Sequence, residues 1–319
     1  MINPMALDIS WFSEGVGSMS FLKKNRNKIK LTIDEKIYQT VITIIVGTVV
    51  LACLFPLLYV VGMSFTSEGE MIARNYFVII PRQPVVKAYK FIFEQGTFFN
   101  SVFISLARSL LGVVAALVFT IPGGYILAKK DLPGRKWFML FFIITMILGG
   151  GLIPGYLLMS KLKLINTFWV YIAPAFGGAF NMLIVKIFIE GIPNDIIESA
   201  DIDGATEIQK MLFIAVPLLV PTICALGLFA AVGHWNSWFD TMLYVRNSKL
   251  YPVQYVIRDL MVNVTSTDST TGNLTLMERM TPEGIKMASV VIGVLPILCV
   301  YPFLQKYFIY GMYTGSVKG

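Results

Sequence analysis

Charge is what this sequence has least of. Only 14% of its 319 residues are Asp, Glu, Lys or Arg, where an ordinary soluble domain carries about 25%. Mean hydropathy is +0.70. Together these exclude a conventional soluble enzyme and a disordered tail, because so much apolar surface needs lipid as its solvent. Cysteine and histidine are scarce as well: Cys53, Cys224, Cys299 and a lone His234. They form no Cys-x-x-Cys pair and no metal-ligand spacing, which argues against zinc or redox work. The cysteines are expected to be small buried hydrophobes within the spans, and His234 a structural residue. No G-x-x-x-x-G-K-[ST] sequence occurs, so the chain does not hold ATP in a P-loop. No nucleophile–base set is visible either, so the chain is not expected to be an enzyme. The formal net charge of +7 is not laid out as a basic stripe interleaved with aromatics on a soluble domain, which argues against nucleic acid as a partner.

What is present is a series of charge-free runs. Ile37 to Ser67, Trp137 to Ser160, Leu164 to Val185, Met211 to Phe239 and Met287 to Gln305 contain no charge, and Arg108 is the single charge between Glu94 and Lys129. A helix needs roughly 20 apolar residues to cross the hydrocarbon core. Six runs reach or approach that length, so the expected fold is all-α, a polytopic membrane protein with six transmembrane helices. The runs do not alternate in period two, which argues against a barrel. The first run starts too far in, is too long and lacks a small-residue cleavage site for a signal peptide. Thr32-Ile33-Asp34-Glu35 before it reads as a capping box.

Orientation follows from the basic residues. Lys23, Lys24, Arg26, Lys28, Lys30 and Lys36 precede the first run, and Lys129, Lys130, Arg135 and Lys136 fill the short connection after the second. Dense Lys/Arg loops stay in the cytoplasm. The expected topology is therefore N-in and C-in, with 1–36 a cytoplasmic N-terminal segment, 37–319 the membrane domain, 240–284 an extracytoplasmic loop and 306–319 a cytoplasmic tail. Within the long loop, 253–262 reads as an amphipathic stretch.

The spans are not smooth apolar rods. Gly149-Gly150-Gly151, Pro154, Pro174, Gly177, Gly178, Pro217, Pro221, Pro296 and Pro302 all fall inside them. Proline removes a helical hydrogen bond, and irregular backbone at depth is tolerated where it is buried in protein or lines a wet cavity. These positions mark either kinks around a pathway or close packing at small residues. Arg108 is a costly intramembrane charge, read either as a structural anchor or as a pathway residue. Asn181 is the other polar residue at depth, suited to packing hydrogen bonds or to a pathway.

One segment breaks the apolar pattern. Between the fourth and fifth runs, 190–210 carries Glu190, Asp195, Glu198, Asp201, Asp203 and Glu207. Pro193 followed by Asn194 or Asp195 is a helix start. Gly204 ends that helix, and Thr206 with Gln209 forms a second capping box. The product is a helix–turn–helix bracket with one apolar edge (Ile196, Ile197, Ala200, Ile208) and one acidic edge.

These residues resemble the cytoplasmic EAA loop of binding-protein-dependent ABC importer permeases. The family pattern is Glu-Ala-Ala, three residues, Gly, nine residues, then Ile-x-Leu-Pro. The chain reads Glu198-Ser199-Ala200, three residues, Gly204, nine residues, then Ile214-Ala215-Val216-Pro217. Ser199 and Val216 depart from the pattern by small or apolar replacements. Ile202-Asp203-Gly204-Ala205, Trp235-Asn236 and the tail Gly315-Ser316-Val317-Lys318-Gly319 look like carbohydrate permeases of the maltose type. Leu250-Tyr251-Pro252-Val253-Gln254-Tyr255 is similar to the branch importing complex oligosaccharides and polysaccharides. The resemblance covers roughly residues 37–319.

The resemblance implies a type I ABC importer permease fold, with this chain as half of the pore. It implies a second homologous permease subunit, an ATPase subunit dimer holding ATP and Mg, an extracytoplasmic solute-binding protein, and a saccharide substrate, all in a prokaryotic inner membrane. This chain itself needs no cofactor. The bracket 190–217 would couple to the ATPase through Glu198, Ser199, Ala200, Asp203, Gly204 and Pro217. The tail Gly315–Gly319, with Gly311, suits an extended segment docked on the ATPase, the alternative being a frayed end. The competing readings are the same architecture importing peptides or amino acids, and a secondary transporter. Against the latter, no clear repeat and no acid well inside a span is seen.

Overall fold

The computed structural model describes residues 32–94, 96–266 and 282–316, with side chains to 262 and from 282 to 302. The chain divides into two compact units, Met1–Leu57 and Leu58–Gly319. All the described regular structure is helical.

The first unit is the start of α1 (Ile33–Ser64). The Thr32 backbone N–H donates to Glu35 Oε2 at 2.8 Å, the glutamate half of the expected capping box. Farther along, the Thr40 and Thr43 hydroxyls bond carbonyls one turn back.

In the second unit, α2 (Glu68–Ala73) and α3 (Lys87–Glu94) are short helices, followed by the long α4 (Phe98–Ala128). Arg108 sits one-third of the way along it. Next come α5 (Arg135–Ile147) and α6 (Leu152–Lys161), two 3-10 turns (Phe168–Tyr171 and Ala173–Gly177) and α7 (Ala179–Glu190). The bracket follows as α8 (Asn194–Ile202) and α9 (Glu207–Lys210). A π-turn (Met211–Ala215) leads into α10 (Val216–Leu218) and α11 (Val220–Asn236). Last are α12 (Phe239–Tyr244), α13 (Val253–Ser266) and α14 (Pro282–Ser316).

Three helices are long and apolar enough to cross a membrane singly: Ile33–Ser64, Phe98–Ala128 and the Pro282–Pro302 part of α14. The other three expected spans are each a bent pair: Arg135–Ile147 with Leu152–Lys161 at 112°, Phe168–Gly177 with Ala179–Glu190 at 43°, and Glu207–Leu218 with Val220–Asn236 at 80°. Six spans are reached if each pair is one span. The bends fall where the sequence carries its irregular residues. Gly149-Gly150-Gly151 separates α5 from α6. Pro217 and Pro221 each lack the N–H that would bond four residues back, and the run containing both passes through a π-turn before turning at Leu219.

α4 is the axis of this unit, with α11 and α7 packed along it. Small residues allow the approach, as is usual between membrane helices. A Cβ on Gly124 would stand 2.6 Å from Val185, and one on Gly112 would stand 2.2 Å from His234 Nε2. His234 thus fills the space that Gly112 leaves, the structural role expected of it. At the bracket end of α4, Tyr125, Val185, Ala215, Leu219 and Leu226 form one cluster. At the opposite end Phe98, Ile92, Trp235, Val253, Ile257 and Ile285 form another, closed by Trp235 Nε1 donating to the Gly293 carbonyl at 3.0 Å. The expected amphipathic stretch 253–262 is thereby accounted for by α13, whose Val253 and Ile257 are core residues.

Two expectations fail. Cys53 and Cys299 are exposed and Cys224 is half-buried, so the cysteines are not core residues of the chain. Thiols on a spanning helix are compatible with lipid or another chain as neighbours. The tail from Gly311 is not extended where it is described, because α14 continues through Ser316. Each glycine costs a helix only about 1 kcal/mol, and propagation from a long formed helix is favourable. Val317, Lys318 and Gly319 lie outside the described residues, as does 1–31 of the N-terminal segment.

Candidate functional site

The bracket is built from local signals. Pro193 precedes the first turn of α8, where its missing N–H costs nothing. At the other end of α8, Gly204 N–H donates to the Asp201 carbonyl at 3.1 Å and Ala205 N–H to the Ala200 carbonyl at 2.9 Å. These two bonds are a Schellman closure, and it requires the left-handed φ of +74° that Gly204 adopts. A Cβ there would meet nothing within 4 Å, so glycine is needed for its backbone and not for space. The spacing from Glu198-Ser199-Ala200 to Gly204 now has a geometric cause: Ala200 is the buried residue whose carbonyl closes the turn. Thr206 then caps α9 reciprocally with Gln209, the Thr206 N–H reaching Gln209 Oε1 at 2.8 Å and the Gln209 N–H reaching Thr206 Oγ1 at 3.4 Å.

The expected apolar edge is only half packed inward. Ala200 is buried and Ile197 half-buried, whereas Ile196 and Ile208 are exposed. Ile202, at 88% exposure, and Phe213 extend the outward apolar surface. An open recess of ≈ 350 Å³ lies between Asp203, Gly204, Ala205, Gln209, Phe213 and Ile214. Asp203 in its wall is exposed, as are Glu198 and Ser199 on α8. The Ser199 hydroxyl bonds the Ile196 carbonyl at 3.0 Å, so serine is accommodated at that position without a new partner. Pro217 is exposed and stands just before the 80° bend.

The six acids do not form a single edge. Asp195, Glu198 and Asp203 make no ion pair among the described residues, whereas Glu190, Asp201 and Glu207 face cations of the same chain. The Lys210 side chain is 6% exposed and its Nζ pairs with Asp201 and, at 2.7 Å, with Glu207 Oε1. Glu207 Oε2 pairs with Lys129 and accepts from the Tyr125 hydroxyl at 3.0 Å. Glu190 pairs with Arg135 and with Lys186, the latter at 2.8 Å. Sequence reading assigned Lys129 and Arg135 to topology alone and passed over Tyr125, Lys186 and Lys210. The i, i+3 spacing of Glu207 and Lys210 was the available signal.

Arg108 is 1% exposed. Its guanidinium forks onto Asp240, with Nη1 3.4 Å from Oδ1 and Nη2 paired to Oδ2. Nη1 also donates to the Ser237 carbonyl at 3.2 Å, and Cζ lies 4.2 Å from the Tyr171 ring centroid. The Tyr171 hydroxyl in turn donates to the Leu250 carbonyl at 2.9 Å and accepts from Thr241 at 3.1 Å. Arg108 therefore joins α4, the Phe168–Tyr171 turn and the start of α12, contacts that suit an anchor. Asn181 stands half-buried in the first turn of α7, remote in sequence from both charged groups, and is not drawn into either.

Residues 120–312 match the model of the family described as "Binding-protein-dependent transport system inner membrane component". Protein LplC of Bacillus subtilis (strain 168) is 41% identical over 267 residues, covering 83% of this chain and 90% of that protein. The polygalacturonan/rhamnogalacturonan transport system permease protein YtcP of the same organism is 33% identical over 272 residues, covering 84% and 94%. A chain from the crystal structure of a bacterial ABC transporter involved in import of the acidic polysaccharide alginate superposes with a TM-score of 0.76 at 26% identity, covering 87% of this chain and 99% of that one.

Proposed function

The chain belongs to the binding-protein-dependent transport system inner membrane components, as a multi-pass permease subunit that is not itself catalytic, and on that premise we propose that it forms half of the pore of an importer for an oligosaccharide or polysaccharide. The bracket carries the reading. Its turn is closed by the geometry that Gly204 supplies, and it presents Glu198 and Asp203, which make no ion pair among the described residues, together with exposed Ile202 and Phe213. A rigid acidic and apolar knob of this kind fits a cleft on an ATPase subunit. There Glu198 would accept charge-assisted hydrogen bonds, with Ser199, Ala200 and Pro217 shaping the knob.

In this reading the bracket end and both termini lie in the cytoplasm, and the end bearing Arg108 and α13 faces the solute-binding protein. ATP and Mg act on the partner ATPase dimer. Its closure moves two brackets, one on this chain and one on a homologous permease, and rocks the half-pores as rigid bodies. The tail Gly315–Gly319 would contact the same ATPase. YtcP is named for polygalacturonan and rhamnogalacturonan transport and the matched transporter for alginate import, so a uronate-rich saccharide is the first solute to test.

Gly204→Asp decides the coupling role. It is expected to abolish uptake while the assembled complex still reaches the membrane, and normal uptake by that variant would sink the assignment. A binding screen with the paired solute-binding protein decides the solute: affinity for uronate oligosaccharides supports the reading, and affinity for peptides or amino acids replaces it.

A further inference from the structure

Glu190, at the end of α7 just before the bracket, and Glu207, at the start of α9, divide their carboxylates in the same way. At Glu190, Oε2 pairs with Lys186 of its own helix α7 at 2.8 Å, and Oε1 pairs with Arg135. Arg135 is held in turn by its Nε donating to the Leu127 carbonyl at 3.1 Å. At Glu207, Oε1 pairs with Lys210 of its own helix at 2.7 Å, and Oε2 meets the Tyr125 hydroxyl and Lys129. Each acid thus ties its own element to the corner 125–135, where α4 ends and α5 begins. Lys210 adds a tie within the bracket by reaching Asp201 on α8.

We propose that Glu190 and Glu207 are positioning residues, a two-point clamp that makes the bracket and the end of α4 move as one body. A bracket joined to the spans only through its backbone would swivel at the Gly191 and Gly204 turns when a partner pulled on it. Two ties to the same corner remove that freedom, and the buried Lys210 keeps α8 and α9 from splaying. The displacement then passes into α4, one unbroken helix despite its internal Pro122, which carries the Arg108 node toward its other end. Coupling through packed rigid elements of this sort is the physical route by which a pull at one face is felt at the other. The acids of the loop therefore have two jobs: Glu198 and Asp203 face outward to a partner, and Glu190 and Glu207 face inward to transmit.

This rests on the ATPase-coupling reading above, and the test separates the two. The assembled importer carrying Glu190→Gln, Glu207→Gln or both is reconstituted in proteoliposomes. ATP hydrolysis stimulated by the binding protein and uptake of a galacturonate pentasaccharide are then measured. The expected result for the double variant is hydrolysis within about twofold of the parent and uptake reduced roughly tenfold, the scale of a typical inter-site coupling, with Glu207→Asp recovering part of the loss. A spin label at position 99 (Phe99→Cys, with Cys53, Cys224 and Cys299 replaced) reads the same coupling without saccharide. Its spectrum should shift on trapping with ADP–vanadate in the parent and stay unchanged in the double variant. Hydrolysis and uptake falling together would overturn the clamp, because that is loss of docking or of fold. Uptake by the double variant equal to the parent's, or a label shift on trapping as large as the parent's, would overturn it too. Failure of the parent to take up the pentasaccharide, with its label still responding, would count against the uronate assignment and leave the clamp to be judged by the label.

Discussion

The two ends of α4 carry charged ties built on opposite principles. Near one end a single arginine, 1% exposed, meets a carboxylate, a carbonyl and an aromatic face, its Nε having no hydrogen-bond partner among the described residues. At the other end, Glu190 (29% exposed) and Glu207 (51% exposed) share four cations, of which Lys129 and Arg135 are 30% exposed and Lys186 and Lys210 nearly buried. Water reaches both acids of the second set and their partners Lys129 and Arg135, and scarcely reaches Arg108. Exposed pairs contribute about 0.2–1 kcal/mol each, whereas removing one partner of a buried pair costs about 3–5 kcal/mol. The Arg108 node is thus placed to fix architecture, and the bracket end to hold position while adding little stability. In the proposed coupling, a part that moves with a partner and an anchor that does not are built by different burial of the same chemistry.

That contrast is open to attack from its strongest side first. Asp240→Asn leaves the Arg108 charge buried without its counter-ion. The chain in detergent is expected to lose about 3 kcal/mol of unfolding free energy, at the low end of the range because Asp240 is itself 24% exposed. A loss below about 1 kcal/mol would put this node in the same class as the bracket end. Arg108→Met combined with Asp240→Leu should recover much of the loss, since a well-packed apolar pair often matches a buried ion pair. Next in size, Thr206→Ala removes the reciprocal cap of α9 and should cost about 1 kcal/mol, read as faster amide exchange in the bracket. Smallest, Lys129→Ala should cost under about 1 kcal/mol, because Glu207 keeps Lys210 and Tyr125. Salt sharpens the comparison further. At 1 M salt, where the Debye length is about 3 Å, Lys129→Ala should become silent in unfolding measurements while Asp240→Asn keeps its full effect.

Much of this architecture could be read beforehand, and the reason is local physics. Charge-free runs locate segments that need lipid, whatever their neighbours. Pro193, Gly204, Thr206 and Gln209 set helix ends through bonds spanning three to five residues, and each acts as expected. The bends were legible as positions, through Gly149–Gly151 and through Pro217 with Pro221, but not as angles, because a bend is set by what the two halves pack against. The cysteines were misread for a related reason: apolar context gives membership of a span, not the face of it. The helical course of the chain through Ser316 went the same way, since three glycines were weighed without the long helix that precedes them.

The sequence by itself determined an all-helical membrane chain, the position and closure of the bracket, and the spacing that marks its family. Those features depend on hydropathy and on hydrogen bonds between near neighbours. Only the tertiary structure decided that Arg108 meets Asp240, 132 residues away, and that Glu190 and Glu207 turn inward while Glu198 and Asp203 do not. Pairing between charges on different helices depends on the rotation and register in which those helices pack, and small residues such as Gly112 and Gly124 set that register by permitting close approach.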